Sequence, residues 1–221
     1  MSDSGDYIFD KGRFVGDFDG LYKAQPDPWG QSCQGNTPMD RYYVGSRANL
    51  VTALRRRISS RDCLGLEIGC GHGHLTNILA GLTSRSRWRG LDISPTAVFE
   101  AAERHPDITF MVRDITQPIN DQFHVNIYDA IVLGQMFWYI IPDRDTVMSN
   151  CRRMLKKGGL LVVSQAFFKD GGQKFYTAVS DGFVGAVRLL MGYVDFELVE
   201  AKWSEHPSWE FDDGLIILRA K

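Results

Sequence analysis

Cysteine is scarce in this 221-residue chain: Cys33, Cys63, Cys70 and Cys151 are the four, and no two form a C-x-x-C pair. That excludes a disulfide framework or a cysteine-built zinc site as the organising device, and reads as reduced thiols of a cytoplasmic protein. No apolar run approaches the length of a membrane span, so no membrane partner is expected. Residues 1–10 carry three aspartates and no hydrophobic stretch, which argues against a secretory leader. Neither sign of charge dominates. With 25 Lys+Arg against 27 Asp+Glu, the net charge of −2 leaves no basic excess for gripping a phosphate backbone. The run Arg55-Arg56-Arg57 sits on an expected helix and reads as its solvated face. Internal repeats and low-complexity linkers are also absent. The ordinary 44% hydrophobic and 24% charged content suits one domain with a substantial core. We expect a single unit over 1–221, with amino-terminal helices over 1–58 and a core over 61–221. Oligomeric state is not legible.

Along the chain, a helix is predicted over Phe14–Ala24, stopped by Pro26 and Pro28, then a loop over Gln31–Pro38 and a second helix over Asp40–Ile58. The period then changes to alternating strands and helices, the mark of a parallel sheet covered on both faces. Strands are expected at Cys63–Gly69, Trp88–Asp92, Ile108–Val112, Asp129–Gly134 and Leu160–Phe167. Helices are expected at Leu75–Leu82, Pro95–Arg104 (Ser94 as N-cap), Asp143–Lys156 (ended by Gly158-Gly159) and Phe175–Met191. Asp195–Trp203 and Phe211–Ala220 read as an antiparallel hairpin. The expected fold is α/β: a Rossmann-like, doubly wound, seven-stranded sheet, mostly parallel, with an antiparallel carboxy-terminal hairpin strand and amino-terminal helices as a lid.

The most informative stretch is Leu64-Gly65-Leu66-Glu67-Ile68-Gly69-Cys70-Gly71-His72-Gly73-His74-Leu75. An apolar strand meets a carboxylate, then three alternating glycines, then a helix. Glycine lets a backbone pass close to a ligand because it has no Cβ. A dinucleotide turn reads G-x-G-x-x-G, but His74 occupies its third glycine position and Gly73 comes one residue early. In open α/β sheets ligands bind beyond the carboxyl ends of the strands. There the second strand ends in Asp92, the third is followed by Arg113-Asp114-Ile115, and the fourth runs into Gly134-Gln135-Met136-Phe137-Trp138-Tyr139. A carboxylate in the Asp92 position can accept from both hydroxyls of a ribose. Asp129 opens a strand at the opposite edge and reads as structural.

In that order over about Arg61 to Phe168, these features resemble class I S-adenosyl-L-methionine (SAM) methyltransferases. The resemblance implies roles. Glu67 would face the methionine amino group, and Gly69 and Gly71 would let the backbone lie against the methionyl and ribose parts. Asp92, with Ile93 beside it, would hold the ribose. Asp114 and Ile115 would contact adenine, and Gln135 would offer backbone or side chain to the methionine end. His72 and His74 depart from the small residues common there and read as exposed histidines; no metal is expected.

Phe18-Asp19-Gly20-Leu21-Tyr22-Lys23-Ala24-Gln25-Pro26-Asp27-Pro28-Trp29 resembles the lid of nodulation N-methyltransferases (NodS type), which methylate an amino sugar. In the strand-four segment Gln135 stands where that group commonly has Glu. Aromatic faces stabilise a sulfonium without attacking it. Tyr22, Trp29, Tyr42, Tyr43, Phe137, Trp138 and Tyr139 are the candidates, with Trp29 and Tyr139 the preferred pair and Tyr22 and Tyr139 the aromatic residues expected nearest the chemistry. A neutral amine acceptor needs no base, whereas a hydroxyl needs one. His206, with Asp170 as a further possibility, is the base candidate.

The expectation is a SAM-dependent transfer of methyl to an N or O atom of a small polar molecule, sugar-like or an intermediate of specialised metabolism. Two alternatives stand beside it. One is an NAD-dependent oxidoreductase on a Rossmann fold. The other is a nucleic-acid methyltransferase, against which stands the absence of an Asn/Asp-Pro-Pro-Tyr motif after the fourth strand.

Overall fold

A computed structural model describes residues 5–10, 13–35, 37–58, 62–119, 124–169, 176–205, 207 and 211–221. The chain opens with the turn of helix α1 (Gly5–Ile8), a two-stranded hairpin, β1 (Phe9–Asp10) and β2 (Arg13–Phe14), and helices α2 (Phe18–Ala24) and α3 (Pro38–Ile58). Then follow β3 (Cys63–Ile68), α4 (His74–Ala80), β4 (Ser86–Asp92), α5 (Pro95–Arg104), β5 (Thr109–Val112) and β6 (Tyr128–Gly134). The remainder is α6 (Phe137–Ile140), α7 (Arg144–Met154), β7 (Leu155–Phe168), α8 (Gly182–Met191), β8 (Phe196–Ser204) and β9 (Phe211–Ala220).

The main sheet has seven strands in the order β5-β4-β3-β6-β7-β9-β8. All pairings are parallel except those of β9, which runs antiparallel to both β7 and β8. Side-chain alternation divides the apolar residues between two faces. Ile131, Leu133, Leu161, Val163, Ile216 and Leu218 join the apolar stripes of α7 and α8 in one core. Ala130, Val132, Leu160, Val162, Leu215 and Ile217 join Leu50, Leu54, Leu75 and Leu79 of α3 and α4 in the other. The register then brings the carboxyl ends of β3 through β7 to one edge. Gly69 N–H donates to Leu91 O (2.7 Å), Arg113 N–H to Asp92 O (2.8 Å) and Gln135 N–H to Ser164 O (2.8 Å).

Several boundaries differ from the sequence reading for identifiable reasons. Helix α2 starts at Phe18, not Phe14, because Asp17 caps it by accepting from Gly20 N–H (2.9 Å), while Phe14 belongs to the small hairpin. Helix α7 stops at Met154, before the Gly158-Gly159 pair. The glycines lie inside β7, where the register with β6 slips between Tyr128 and Ala130. They accommodate a bulge instead of ending a helix. Helix α8 begins at Gly182; Phe175, the expected start, lies outside the described residues. Asp129 plays the structural part expected of it, accepting from Leu64 N–H (3.0 Å) and Lys156 Nζ (2.9 Å).

Candidate active site

A cleft of about 300 Å³ runs along the carboxyl edge of the sheet beneath α2, the 25–37 connection and α3. Gly69, Asp92, Ile93, Asp114, Ile115, Gln135, Trp29, Tyr22 and Tyr139 all line it, so most of the sequence-predicted site converges on one place.

The glycine turn is held from below. Gly69, Gly71 and Gly73 have φ of 74°, 49° and 75°, in the left-handed region that costs L side chains energy. Asp92 organises the crossing: one carboxylate oxygen accepts Gly71 N–H (2.8 Å) and the other Ser94 N–H (2.9 Å). Ser94 also caps α5 through Ala97 N–H, as the Ser94-Pro95 signal implies. Burial pushes the Asp92 carboxyl up, against the pull of these hydrogen bonds. A Cβ on Gly69 would lie 2.9 Å from Met136 Sδ, and one on Gly71 would lie 2.5 Å from the Tyr22 hydroxyl. Gly69 is therefore the glycine open to the cleft, while Gly71 is covered by the lid tyrosine.

Asp114 turns one oxygen inward to Thr116, accepting from its N–H (2.8 Å) and hydroxyl (2.7 Å). Ile115 is buried beside it and Ile93 is exposed at the rim. Gln135 has a left-handed backbone (φ 59°). Its side chain is spent on the fold: Nε2 donates to Tyr42 Oη (3.0 Å) and Ser46 Oγ (3.3 Å), and Oε1 accepts from Ala166 N–H (2.8 Å). Any contact from Gln135 to a ligand in this arrangement falls to its backbone.

Glu67 does not reach the main cleft. It is 2% exposed and faces a smaller cavity shared with Gln31, Tyr43, Ser46, Arg47 and Gln135. Thr76 donates its hydroxyl to the Glu67 carboxyl. Burial raises the Glu67 pKa to about 8, with Thr76 and the Arg47 charge opposing the rise. A cation arriving in that cavity would meet a carboxyl that can give up its proton.

The lid is aromatic. Trp29 and Tyr139 meet with ring centroids 5.9 Å apart, and Tyr139 packs edge-on to Phe18 at 5.3 Å. Tyr22 is buried, packs against His72 at 4.9 Å and takes a hydrogen bond from the Trp29 side chain. Burial, then the Asp92 charge, pushes its hydroxyl well above the usual range, so it stays protonated. Asp27, of the Asp-Pro-Trp segment, shapes the loop after Trp29 by accepting from Gln31 N–H (2.9 Å) and Ser32 N–H (3.0 Å). Tyr43 and Trp138 line the cleft, but Tyr42 and Phe137 are core residues at 0% and 2% exposure.

The histidines of the glycine turn are not exposed. His72 is 4% exposed and His74 is half-buried; burial lowers both, His74 to about 4. Side-chain burial under α2 and against α5 was invisible to a reading that saw only a polar residue in a loop. Among the described residues no cluster of three or more metal-ligating side chains forms. His206 and Asp170, the proposed bases, lie outside the described residues. The sequence reading missed Met39, Gln165, Ala166, Phe168 and Phe211, which also line the cleft. Gln165 to Phe168 end β7 at the ligand edge, and the rule that located Asp92 would have flagged them too.

The residues present fit a SAM-like molecule. Two carboxylates at adjacent strand ends suit a ribose diol and an exocyclic amine, and the glycine that opens to the cleft has room for a ligand only while it lacks a Cβ.

Residues 66–163 match the methyltransferase-domain family. Among curated proteins, a malonyl-[acyl-carrier protein] O-methyltransferase of Halalkalibacterium halodurans is 31% identical over 66% of this chain and 52% of its own length. The same enzyme of Anoxybacillus flavithermus is 28% identical over 57% of this chain and 47% of its own. The chain spans about half the length of these relatives. Among solved structures, the N-methyltransferase NodS of Bradyrhizobium japonicum, bound to S-adenosylhomocysteine, superposes with a TM-score of 0.66 at 24% identity, covering 89% of this chain and 93% of that one.

Proposed function

We infer that this chain, which carries a class I SAM-dependent methyltransferase domain, moves the cofactor's methyl group to a nitrogen or oxygen atom of a small molecule. The observation that carries the reading is the convergence of Gly69, Asp92, Asp114 and Ile115 in one cleft at the carboxyl edge of the sheet. An oxidoreductase reading has no such support, because His74 takes the place of the third dinucleotide glycine.

Asp92 would hold the ribose hydroxyls with the lone pairs that Gly71 and Ser94 leave it. Asp114 would accept from the adenine amine while Ile93 and Ile115 cover the ring. Glu67, from the smaller cavity that shares Gln31, Tyr43 and Gln135 with the cleft, and the backbone of Gly69 and Gln135 would meet the amino-acid end. When bound, the cofactor would supply an activated methyl group on a sulfonium, with sulfur as the leaving group for the acceptor's lone pair. This chain contributes position and dryness. Trp29, Tyr22 and Tyr139 close over the cleft, exclude water and present ring faces that tolerate a cation without attacking it.

No described carboxylate or imidazole stands at the end of the cleft away from Asp92 and Asp114. That favours an acceptor that arrives as a nucleophile, a neutral amine or an already ionised oxygen. His206 keeps its place as a proposed base for a hydroxyl. The relatives include one enzyme named for O- and one for N-methylation, and both atoms stay within the proposal. Incubation with small-molecule extracts and SAM carrying an isotopic methyl label tests it. The reading predicts a labelled small molecule by mass spectrometry, absent with Asp92→Ala; label appearing only in nucleic acid would contradict it.

A further inference from the structure

The cleft is chemically divided. Its charged lining residues sit at one side of the sheet: Asp92 ends β4, and Arg113 and Asp114 follow β5. The other half lies beyond β7 and β9 and is lined by Met39, Trp138, Gln165, Ala166, Phe168 and Phe211. Strand order puts the two halves at opposite ends of one groove, with β3 and β6 between them.

The polar side chains described in the second half already hold bonds within the fold. Trp138 Nε1–H donates to Ala166 O (3.2 Å). Gln165 Oε1 accepts from Phe137 N–H (2.9 Å) and its Nε2 donates to Ala166 O (3.3 Å). Phe168 and Phe211 meet edge to face, with centroids 5.1 Å apart, and Phe168 remains 43% exposed. Aromatic walls can take the apolar face of a sugar as well as an aromatic ring. A sugar, however, also needs several partners for its hydroxyls, and among the described side chains of this half the two polar groups, the Trp138 indole and the Gln165 amide, already hold bonds within the fold.

We propose that the β7–β9 half of the cleft binds the flat, uncharged ring of an aromatic methyl acceptor. The proposal rests on the methyltransferase reading, which assigns the Asp92 half to the cofactor. It departs from the sugar-like acceptor that the lid resemblance implies. The ring stacks among Trp138, Phe168 and Phe211 with Met39 as an adaptable wall, and the amine or hydroxyl to be methylated points toward the Asp92 half.

The test is binding to the full chain, first with S-adenosylhomocysteine by calorimetry and then, at saturation, with 2-naphthol, 2-aminonaphthalene and glucosamine as probes. The naphthalenes are expected to bind at least tenfold more tightly than glucosamine. Phe211→Ala and Met39→Gln are each expected to weaken them at least fivefold while S-adenosylhomocysteine affinity holds. Phe211 also packs near Tyr42, so Met39→Gln guards against a variant that merely unsettles α3. Tighter binding of glucosamine, no naphthalene binding, or naphthalene affinity unchanged in both variants would overturn the proposal. If S-adenosylhomocysteine itself fails to bind, the methyltransferase reading falls first; if it binds and any of those results appears, only the aromatic acceptor falls.

Discussion

Asp19 on the lid helix α2 accepts hydrogen bonds from the Ser94 hydroxyl (2.7 Å) and from Thr96 N–H (3.0 Å) at the first turn of α5. Ser94 N–H in turn donates to Asp92, whose other oxygen holds Gly71. The lid and the carboxylate assigned to the ribose belong to one hydrogen-bonded chain. The lid helix is thereby tied to the glycine turn.

Asp19 ties stability to pH. Hydrogen bonds from Lys23, then Thr96 and Ser94, hold its carboxyl well below the usual range. A folded pKa below the unfolded one stabilises at pH above the unfolded value of about 4 and is lost as pH falls through the folded value. Asp19→Asn should cost about 1 kcal/mol at pH 7, a modest figure because the site is partly exposed. Urea unfolding at pH 7 and pH 3 reads it. The gap between wild type and variant should shrink at pH 3; an equal gap at both would remove the ion from the account.

Asp92→Ala should weaken cofactor binding and the fold together. The fold suffers because the carboxylate also satisfies two buried backbone N–H groups. Leaving both unpaired should cost about 2–4 kcal/mol. Denaturant titration beside calorimetry would show both effects. Unaltered stability would mean that water replaces the carboxylate without loss.

Glu67 gives the opposite pH signature. Its carboxyl, raised to about 8 by burial, holds a proton in the folded chain that the unfolded chain releases at lower pH. Stability should therefore decline as pH rises from the usual carboxylate range to about 8, then level off. Glu67→Gln, which can still accept from Thr76, should flatten this decline in thermal scans across pH 5 to 8. In the wild type, cofactor binding at pH 7 should release a proton, seen as buffer-dependent binding enthalpy, and the variant should lose it. The same decline in both proteins would contradict the assignment.

Gly69→Ala tests the cradle. A φ of 74° should cost a side chain about 1–2 kcal/mol. That corresponds to a fall of roughly 2–8 °C in melting temperature for a chain of this size. The new Cβ also meets Met136 Sδ at 2.9 Å, so the methionine, which lines the cleft, must shift. S-adenosylhomocysteine affinity should drop at least tenfold; wild-type affinity would show that the ligand lies elsewhere.

Much of this was legible in the sequence because its signals were local. Ser94-Pro95 fixes the start of α5, and alternation in Ala130 to Leu133 fixes a doubly covered strand. Strand-end carboxylates mark the ligand edge. Long-range contacts left no such mark. Nothing near Asp19 says that it will reach a helix some 75 residues away, nothing near His72 says that Tyr22 will cover it, and Gly158-Gly159 carries the same letters whether it ends a helix or opens a bulge. Phe211 could be placed on a strand but not in the lining of a cleft that it shares with Met39. The Gln135 amide looked available until Tyr42, Ser46 and Ala166 claimed it.

The most direct measurement is titration of the full chain with S-adenosylhomocysteine, wild type against Asp92→Asn, by calorimetry. Saturable one-to-one binding is expected, with at least a tenfold loss in the variant, since the amide cannot accept from the ribose and from both backbone N–H groups. Absence of binding to the wild type, or equal affinity in the folded variant, would contradict it.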